Sequence, residues 1–444
     1  MLKKNSIYTV KITDINNLGY GVCRVEGIVT FVAGAVTGDE AQIKLIKVTK
    51  SYCVARMEKL ILPSEHRIDP ECPLFPKCGG CVYRHVSYDY EKELKRGYVE
   101  SAFRKAGIDA EIAGVTSDNK ITGYRNKVQY PVGKNGEIGY YRTKTHDIIE
   151  CESCLLEEPV LHDIKRFISD FIKENTVSCL RHIYLRCGAA TGEVMVCLVS
   201  EKKDFNGLST LCNEVCERFD AVKCFAINVN DKDTNVILGE KTYILRGRPY
   251  IEDELMGCRF RISPMSFYQV NHSMTGLLYS KAAELCGLKE GESFIDLYCG
   301  CGTIGLCIAK KTKTAELSGV EIIPDAIENA KINAELNGIE NASFICGDAS
   351  DAPLKKCGCV IVDPPRKGLT EKLIAELAEA DIERIVYVSC NPDTLARDCA
   401  VFIEKGYQLS KVYPFDLFPR TGHVENVVCL SRKSTQETKQ FPVN

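Results

Sequence analysis

The sequence predicts an α/β chain: an open, mostly parallel sheet wrapped by helices in the C-terminal half, preceded by a five-stranded β-barrel and a central α+β segment. Three observations predict this. From about residue 260 the pattern strand, glycine turn, helix, strand repeats, which is how a parallel sheet with helical crossovers is written. Residues 7–60 alternate short β-rich runs with glycine turns, the spacing of a small barrel. Between the two lies a Pro-, Gly- and Cys-rich stretch followed by mixed helix and strand signals. At 444 residues the chain exceeds one ordinary core. The expected division is 1–62, 63–258 and 259–435, with a polar tail at 436–444.

The composition is that of a soluble globular protein, 45% hydrophobic and 26% charged, with no apolar run near the roughly 18 residues of a membrane span. Residues 1–17, MLKKNSIYTVKITDINN, are interrupted by polar side chains throughout, unlike a signal peptide, so a cytoplasmic location is expected. In a reducing compartment most of the 24 cysteines should be buried free thiols, with a few kept for metal or chemistry. Net charge is −3 but unevenly spread: residues 1–150 carry +5 and the remainder −8. Phosphate contact is therefore expected in the N-terminal third.

The barrel runs are IYTVKI, GVCRV, GIVTFV, AQIKLIKV and YCVARM, and residues 1–60 hold 9 Lys or Arg against 5 Asp or Glu. Small basic barrels often bind nucleic acid, and the order of these runs resembles a TRAM domain. Residues 63–85, PSEHRIDPECPLFPKCGGCVYRH, break regular structure. Cys72, Cys78 and Cys81 converge there as C-x5-C-G-G-C. Three close cysteines in an irregular cytosolic segment read as metal ligands, of zinc or of an iron-sulfur cluster. A helix is expected at 87–106.

In the C-terminal half, SFIDLYCGCGTIGLCIAKK is an apolar strand running into Gly300, Gly302 and Gly305 and then a helix. That spacing gives a tight turn and lets a ligand approach the backbone at a helix N-terminus. The next strand, LSGVE, ends in Glu321, where a carboxylate can accept ribose hydroxyls. ASFICGD ends in Asp348, and CVIVD ends in Asp363 before Pro364, Pro365 and Arg366. Ligands bind outside the carboxyl ends of such strands, so these acids should line one crevice. The fifth strand, RIVYVSCNPD, brings Cys390 to the same edge. A thiol there is placed for nucleophilic catalysis, although a free thiol of pKa near 8.5 is only a few per cent ionised at neutral pH. Downstream, FPRTGHVENVVCL offers His423 and Glu425 as bases. Strand alternation would put both on one face, which leaves the choice open.

DPPRKG, SCNP and HVE in this order, with FYQVN at 267–271, resemble the RNA uridine-C5-methyltransferase family over essentially the whole chain. The resemblance implies a Rossmann-like class I methyltransferase domain behind a TRAM/OB-like barrel and a central α+β iron-sulfur domain. It implies S-adenosylmethionine as methyl donor, Cys390 as nucleophile and Glu425, rather than His423, as base. Gln269, Tyr298, Glu321 and Asp363 are implied to contact the cofactor or the target ring, with Asp348 as a further cofactor contact. The chemistry suits this set. Uracil C5 is a poor nucleophile until a thiolate adds at C6, and the C5 proton must then be removed before the thiol can leave.

The ribosomal-RNA members of the family carry a [4Fe-4S] cluster, which implies the same for Cys72, Cys78 and Cys81. HDIIECESCLL offers Cys151 and Cys154 for the fourth ligand. Cys154 is preferred, because its distance from His146 and the following Leu155 and Leu156 are closer to the family pattern. A radical role is not expected, since the C-x3-C-x2-C spacing is absent; a structural staple is. The barrel with the cluster resembles the branch acting on 23S ribosomal RNA, and that RNA is the expected partner. The alternatives are 5-methyluridine formation in tRNA and an RNA-binding ribosome-assembly protein.

Overall fold

The computed structural model describes residues 2–312, 316–352, 354 and 357–432; the tail expected at 436–444 lies outside them. Residues 7–62 form β1 (Ile7–Lys11), β2 (Asp14–Ile15), β3 (Tyr20–Val25), β4 (Ile28–Ala33), β5 (Glu40–Val48) and β6 (Tyr52–Leu62), in the order β1-β5-β6-β4-β3-β2. There are six strands here, where five were expected. The extra one, β2, is two residues pairing with Val22 and Gly21, too short to leave a β-rich run. Alternating burial along β3 and β5 turns one face of each onto a core of Ile12, Cys23, Val32, Ile43, Leu45 and Ala55, as a curled sheet with one wet face requires. Buried Asp39 ties the barrel to the next segment. Its Oδ1 accepts from Ser64 N at 2.9 Å and Arg67 Nε at 3.1 Å. Burial pushes this carboxyl up, but those bonds and the Val36 N–H win and hold it below the usual range.

Next come α1 (Tyr88–Lys105), β7 (Lys127–Pro131), β8 (Gly139–Tyr141), β9 (Ile148–Glu150), α2 (Pro159–Asn175), β10 (Leu180–Cys187), β11 (Val194–Ser200), α3 (Leu208–Arg218), β12 (Val222–Val229), β13 (Lys241–Gly247), β14 (Ile251–Leu255) and β15 (Cys258–Ile262). A five-stranded sheet, β13-β12-β11-β10-β7, packs with Leu161, Ile164 and Ile168 of α2 and Leu211 and Val215 of α3. The β14–β15 hairpin belongs elsewhere: Ile251, Leu255, Cys258 and Phe260 share a core with the C-terminal sheet. The expected division at 258/259 thus runs through a hairpin.

The remainder is α4 (His272–Cys286), β16 (Ser293–Leu297), α5 (Thr303–Thr312), β17 (Glu316–Glu321), α6 (Pro324–Leu336), β18 (Ala342–Cys346), β19 (Cys359–Val362), α7 (Glu371–Glu379), β20 (Arg384–Ser389), α8 (Pro392–Glu404), β21 (Tyr407–Leu409), β22 (Tyr413–Phe415) and β23 (Glu425–Arg432). Their sheet runs β18-β17-β16-β19-β20-β23-β21, with β22 also on β23. β16 to β20 pair in parallel, and β23 is antiparallel to β20. β19 is buried along its whole length whereas edge strand β18 is half open, the difference between a strand covered on both faces and one at the rim. Val99, Ala102 and Phe103 of α1 pack into this core with Leu395 and Phe402 of α8, so the N-terminal half reaches into the C-terminal sheet. Among the described residues no helix is long and apolar enough to cross a membrane. Most cysteines are buried free thiols.

Candidate active site

The strand order reverses between β16 and β19, and a crevice outside the carboxyl ends opens at such a switch point. After β16 the chain turns sharply: Tyr298, Gly300 and Gly302 all have positive φ, 65°, 55° and 81°. For Tyr298 that is a strained conformation of the kind found at functional sites. Gly305 has no room for a side chain, because a Cβ would lie 2.8 Å from Asp296 Oδ2 and 2.9 Å from Leu317. Its N–H donates to Asp296 Oδ2 at 2.9 Å. Asp296 is fully buried with its other oxygen unpartnered, and burial pushes it up to about 8. Glu321, at the end of β17, accepts from Gly300 N at 3.2 Å and Ile323 N at 3.0 Å, which locks the turn against the second strand.

Beside this turn apolar groups stand open. Phe267, Ile322 and Ile323 are 65%, 61% and 53% exposed, and the Phe267 carbonyl receives Cys301 Sγ at 3.4 Å. Exposed apolar surface next to a glycine turn and a carboxylate fits a nucleoside: flat ring on the apolar groups, ribose on the acid. Gln269 is half-buried; its carbonyl accepts from Asn126 Nδ2 at 3.1 Å. Asp348 stands two residues beyond the end of β18, exposed, and accepts from Ser350 N at 2.9 Å. It is a cap at the rim and not the last residue of a strand.

Asp363 follows β19 and Cys390 follows β20, neighbouring parallel strands. The β20–β23 register pairs Ser389 with Asn426, so Cys390 and Glu425 come next in line. Asp363 is pushed up to about 7 by burial. Burial and the Asp363 charge push Glu425 up to about 8, with Arg366 pulling the other way. Burial, then the Glu425 and Asp363 charges, push the Cys390 thiol up to about 11, again against Arg366. The three groups and Arg366 thus form one electrostatic unit. Arg366 is held there because its carbonyl accepts from Asn391 Nδ2 at 3.1 Å and Thr394 Oγ1 at 3.3 Å. The DPPRKG and SCNP segments are stitched together by these bonds.

The expected shared face of His423 and Glu425 is not what the fold gives. β23 begins only at Glu425; His423 lies in the preceding loop, where strand alternation does not apply. Glu425 is buried beside Cys390, while His423 is exposed with its ring 3.3 Å from Arg366. Partial desolvation and the Arg366 charge hold that imidazole down to about 4. Sequence reading had no role for Asp296 or for Asn271. Asn271 caps α4 through Met274 N and donates to Leu417 O at 3.0 Å. A polar residue inside an otherwise apolar strand, and an Asn opening a helix, were the signals available.

Away from the crevice, Cys72, Cys78, Cys81, Cys151 and Cys154 line one cavity together with Leu74, Phe75, Tyr140, Leu156, Arg84 and Arg125. Burial pushes the Cys151 thiol up to about 12 and those of Cys78, Cys81 and Cys154 in the same direction. Among the described residues no three potential ligands are gathered closely enough for a single metal ion. Thiols on an apolar wall are the donor set of a thiolate-ligated metal group, zinc or iron-sulfur alike.

Residues 349–433 match the tRNA (Uracil-5-)-methyltransferase family, residues 288–383 a methyltransferase domain and residues 2–57 the TRAM domain. An RNA methyltransferase of Clostridium tetani is 38% identical, with 97% of each chain covered, and one of Bacillus cereus is 41% identical over 97% of this chain and 98% of the relative. The crystal structure of a Pyrococcus abyssi tRNA (uracil-54, C5)-methyltransferase with S-adenosyl-L-homocysteine superposes with a TM-score of 0.78 at 31% identity, covering 95% of this chain and 99% of that one. The likeness spans the barrel, the central segment and the class I methyltransferase fold together, and the chain belongs to the RNA uracil-5-methyltransferase family in its form with a TRAM domain.

Proposed function

We propose that the protein methylates C5 of a uridine in 23S ribosomal RNA with S-adenosylmethionine as donor, through a covalent adduct on Cys390. The observation that carries the covalent chemistry is the adjacency of Cys390, Asp363 and Glu425 at one edge of the sheet; 23S ribosomal RNA as substrate rests on the resemblance of the barrel and cysteine cluster alone. The target base is flipped out of its stack into the crevice. The Cys390 thiolate forms a bond to C6, and the C5–C6 π electrons move onto C5 and the C4 carbonyl. C5 then bonds the methyl carbon as the sulfonium C–S bond breaks, releasing S-adenosylhomocysteine. The Glu425 carboxylate takes the C5 proton, the C6–S bond breaks, and the thiolate is restored. Gln269, Tyr298, Glu321, Asp348 and Asp363 contact the cofactor or the ring in this reading. An RNA-binding assembly protein would need no thiol at a strand end.

A second reading, uridine in tRNA, is favoured by the identity to the archaeal tRNA enzyme. Mapping 5-methyluridine by mass spectrometry in 23S ribosomal RNA and tRNA from a deletion strain tests both. Loss of one 23S site is expected; loss confined to tRNA would replace the first reading by the second.

Cys72, Cys78, Cys81 and Cys154 would hold a [4Fe-4S] cluster in the cysteine-lined cavity, with Cys151 the rival fourth ligand. Held there, such a cluster would cross-link the 72–81 loop to the 151–154 segment as a structural staple. Iron and sulfide per chain should fall in Cys154→Ser and persist in Cys151→Ser. The reverse would exchange the two ligands.

A further inference from the structure

The loop between β22 and β23, residues 416–424, delivers Glu425 to the crevice, and its backbone is held in an unusual way. Four consecutive carbonyls are each taken by a donor from a distant segment. Leu417 O accepts from Asn271 Nδ2 at 3.0 Å, Phe418 O from Lys95 Nζ at 3.2 Å and Pro419 O from the Tyr124 hydroxyl at 3.0 Å. Arg420 O accepts from Val82 N at 2.9 Å and Tyr83 N at 3.2 Å. Asp416, Leu417, Arg420 and Thr421 are buried, so these carbonyls take protein donors in place of water.

Beneath the loop lies a closed set of charges. Lys95 Nζ donates to Glu91 Oε1 at 2.8 Å and Asp416 Oδ1 at 2.7 Å, and the Tyr88 hydroxyl donates to Asp416 Oδ2 at 2.9 Å. Glu91 Oε1 also accepts from Arg420 N at 2.7 Å, and its Oε2 from the Arg420 guanidinium at 3.3 Å. Glu91, Lys95, Asp416 and Arg420 are at most 4% exposed, and their formal charges cancel. Arg420 sits at φ 71°, a left-handed conformation that a non-glycine residue keeps only when its surroundings impose it. Buried ion pairs contribute little net stability against apolar residues of the same volume, and one use they serve is to select a single conformation.

We propose that Glu91, Lys95, Asp416 and Arg420, with Tyr124, are positioning residues that set where Glu425 meets the C5 proton. None of them is asked to touch substrate. The inference rests on the reading of Glu425 as base. Cys390 and the glycine turn stand on other elements, so loosening this loop slows proton abstraction and elimination more than methyl transfer.

The test uses the full-length protein in single turnover with labelled S-adenosylmethionine and total RNA from the deletion strain carrying tritium at uridine C5. For Lys95→Gln, tritium release should fall about tenfold or more while methyl transfer changes little, and a methylated, SDS-stable protein–RNA adduct should accumulate. The milder Tyr124→Phe, which removes one hydroxyl and leaves the charges in place, should slow release about threefold with the same adduct. Equal loss of both steps, or no change in release, in these two variants would overturn the positioning role. Glu425→Gln is the comparator. If it traps no adduct while Lys95→Gln does, the base is another group on this loop and the positioning role stands.

Discussion

The glycine turn of the cofactor crevice and the loop that carries Glu425 lie against the same sheet, yet they are held by different kinds of partner. At the glycine turn the fixing bonds are local: Gly305 reaches Asp296 across 9 residues of chain and Gly300 reaches Glu321 across 21. The loop at 416–424 is fixed by Lys95, Arg420 to Glu91, and Tyr124, across 321, 329 and 295 residues. The glycine turn is therefore fixed within the C-terminal domain's own strand–turn–helix units. The Glu425 loop takes its partners from the N-terminal half. Long-range contacts of this kind close only after most of the chain has folded, so cofactor binding and completion of the reaction are separable by mutation.

The largest expected effect is at the thiol that lies between the two regions. Cys390→Ala should cost turnover about 10⁴-fold or more, since no covalent route remains. Its affinity for S-adenosylmethionine, by calorimetry, should change less than about twofold, as the thiol is no part of the turn that fits the nucleoside. A variant that still turns over would end the covalent mechanism.

Smaller, and aimed at the contrast itself, is a pair of glycine substitutions. At Gly422 an added Cβ would clash with the Asn17 carbonyl of the barrel, which forces the Glu425 loop away from its support. Gly422→Ala should lower turnover about 100-fold with cofactor affinity kept, because a displacement near 1 Å is enough for such a loss. Gly305→Ala presses on Asp296 and Leu317 instead. It should weaken cofactor binding first. If both variants lost cofactor affinity equally, the two regions would be one cooperative unit.

The same contrast explains what could be read from the residues in order. Gly300, Gly302, Gly305, Glu321, Asp363 and Cys390 were legible because strand, turn and helix signals are local, and the ends of parallel strands meet in one place by topology. The five cysteines could be listed, but that Cys151 and Cys154 line one hollow with Cys72, Cys78 and Cys81 follows only from tertiary structure. β2 was too short to signal. The 258/259 division runs through β14–β15, which looks like any hairpin until its apolar face finds the C-terminal core. Glu91, Lys95 and Asp416 had no signal at all. In sequence, α1 reads as an ordinary charged helix, and nothing local marks which of its charges will be buried against a loop some three hundred residues on.

The smallest predicted effect is the most discriminating about Glu425, whose carboxyl is raised to about 8 by burial and by Asp363. A base works only when ionised, so proton release from C5 should rise with pH, roughly tenfold per unit below the midpoint. Cys390, raised to about 11 partly by the Glu425 charge, ionises well above Glu425, so its ionisation governs adduct formation while that of Glu425 governs proton release. Stability moves the opposite way. A carboxyl with its folded pKa above its unfolded value favours folding fully below the unfolded value near 4.5 and progressively loses that contribution as pH rises toward 8. Glu425→Gln should therefore be more stable than the parent by about 1–3 kcal/mol at pH 8 and equal to it at pH 4. Denaturation followed at the two pH values reads this directly. A variant no more stable at pH 8 would mean that Glu425 is ionised without cost in the free protein, and the steep lower limb of the rate profile would then have to come from Cys390 alone.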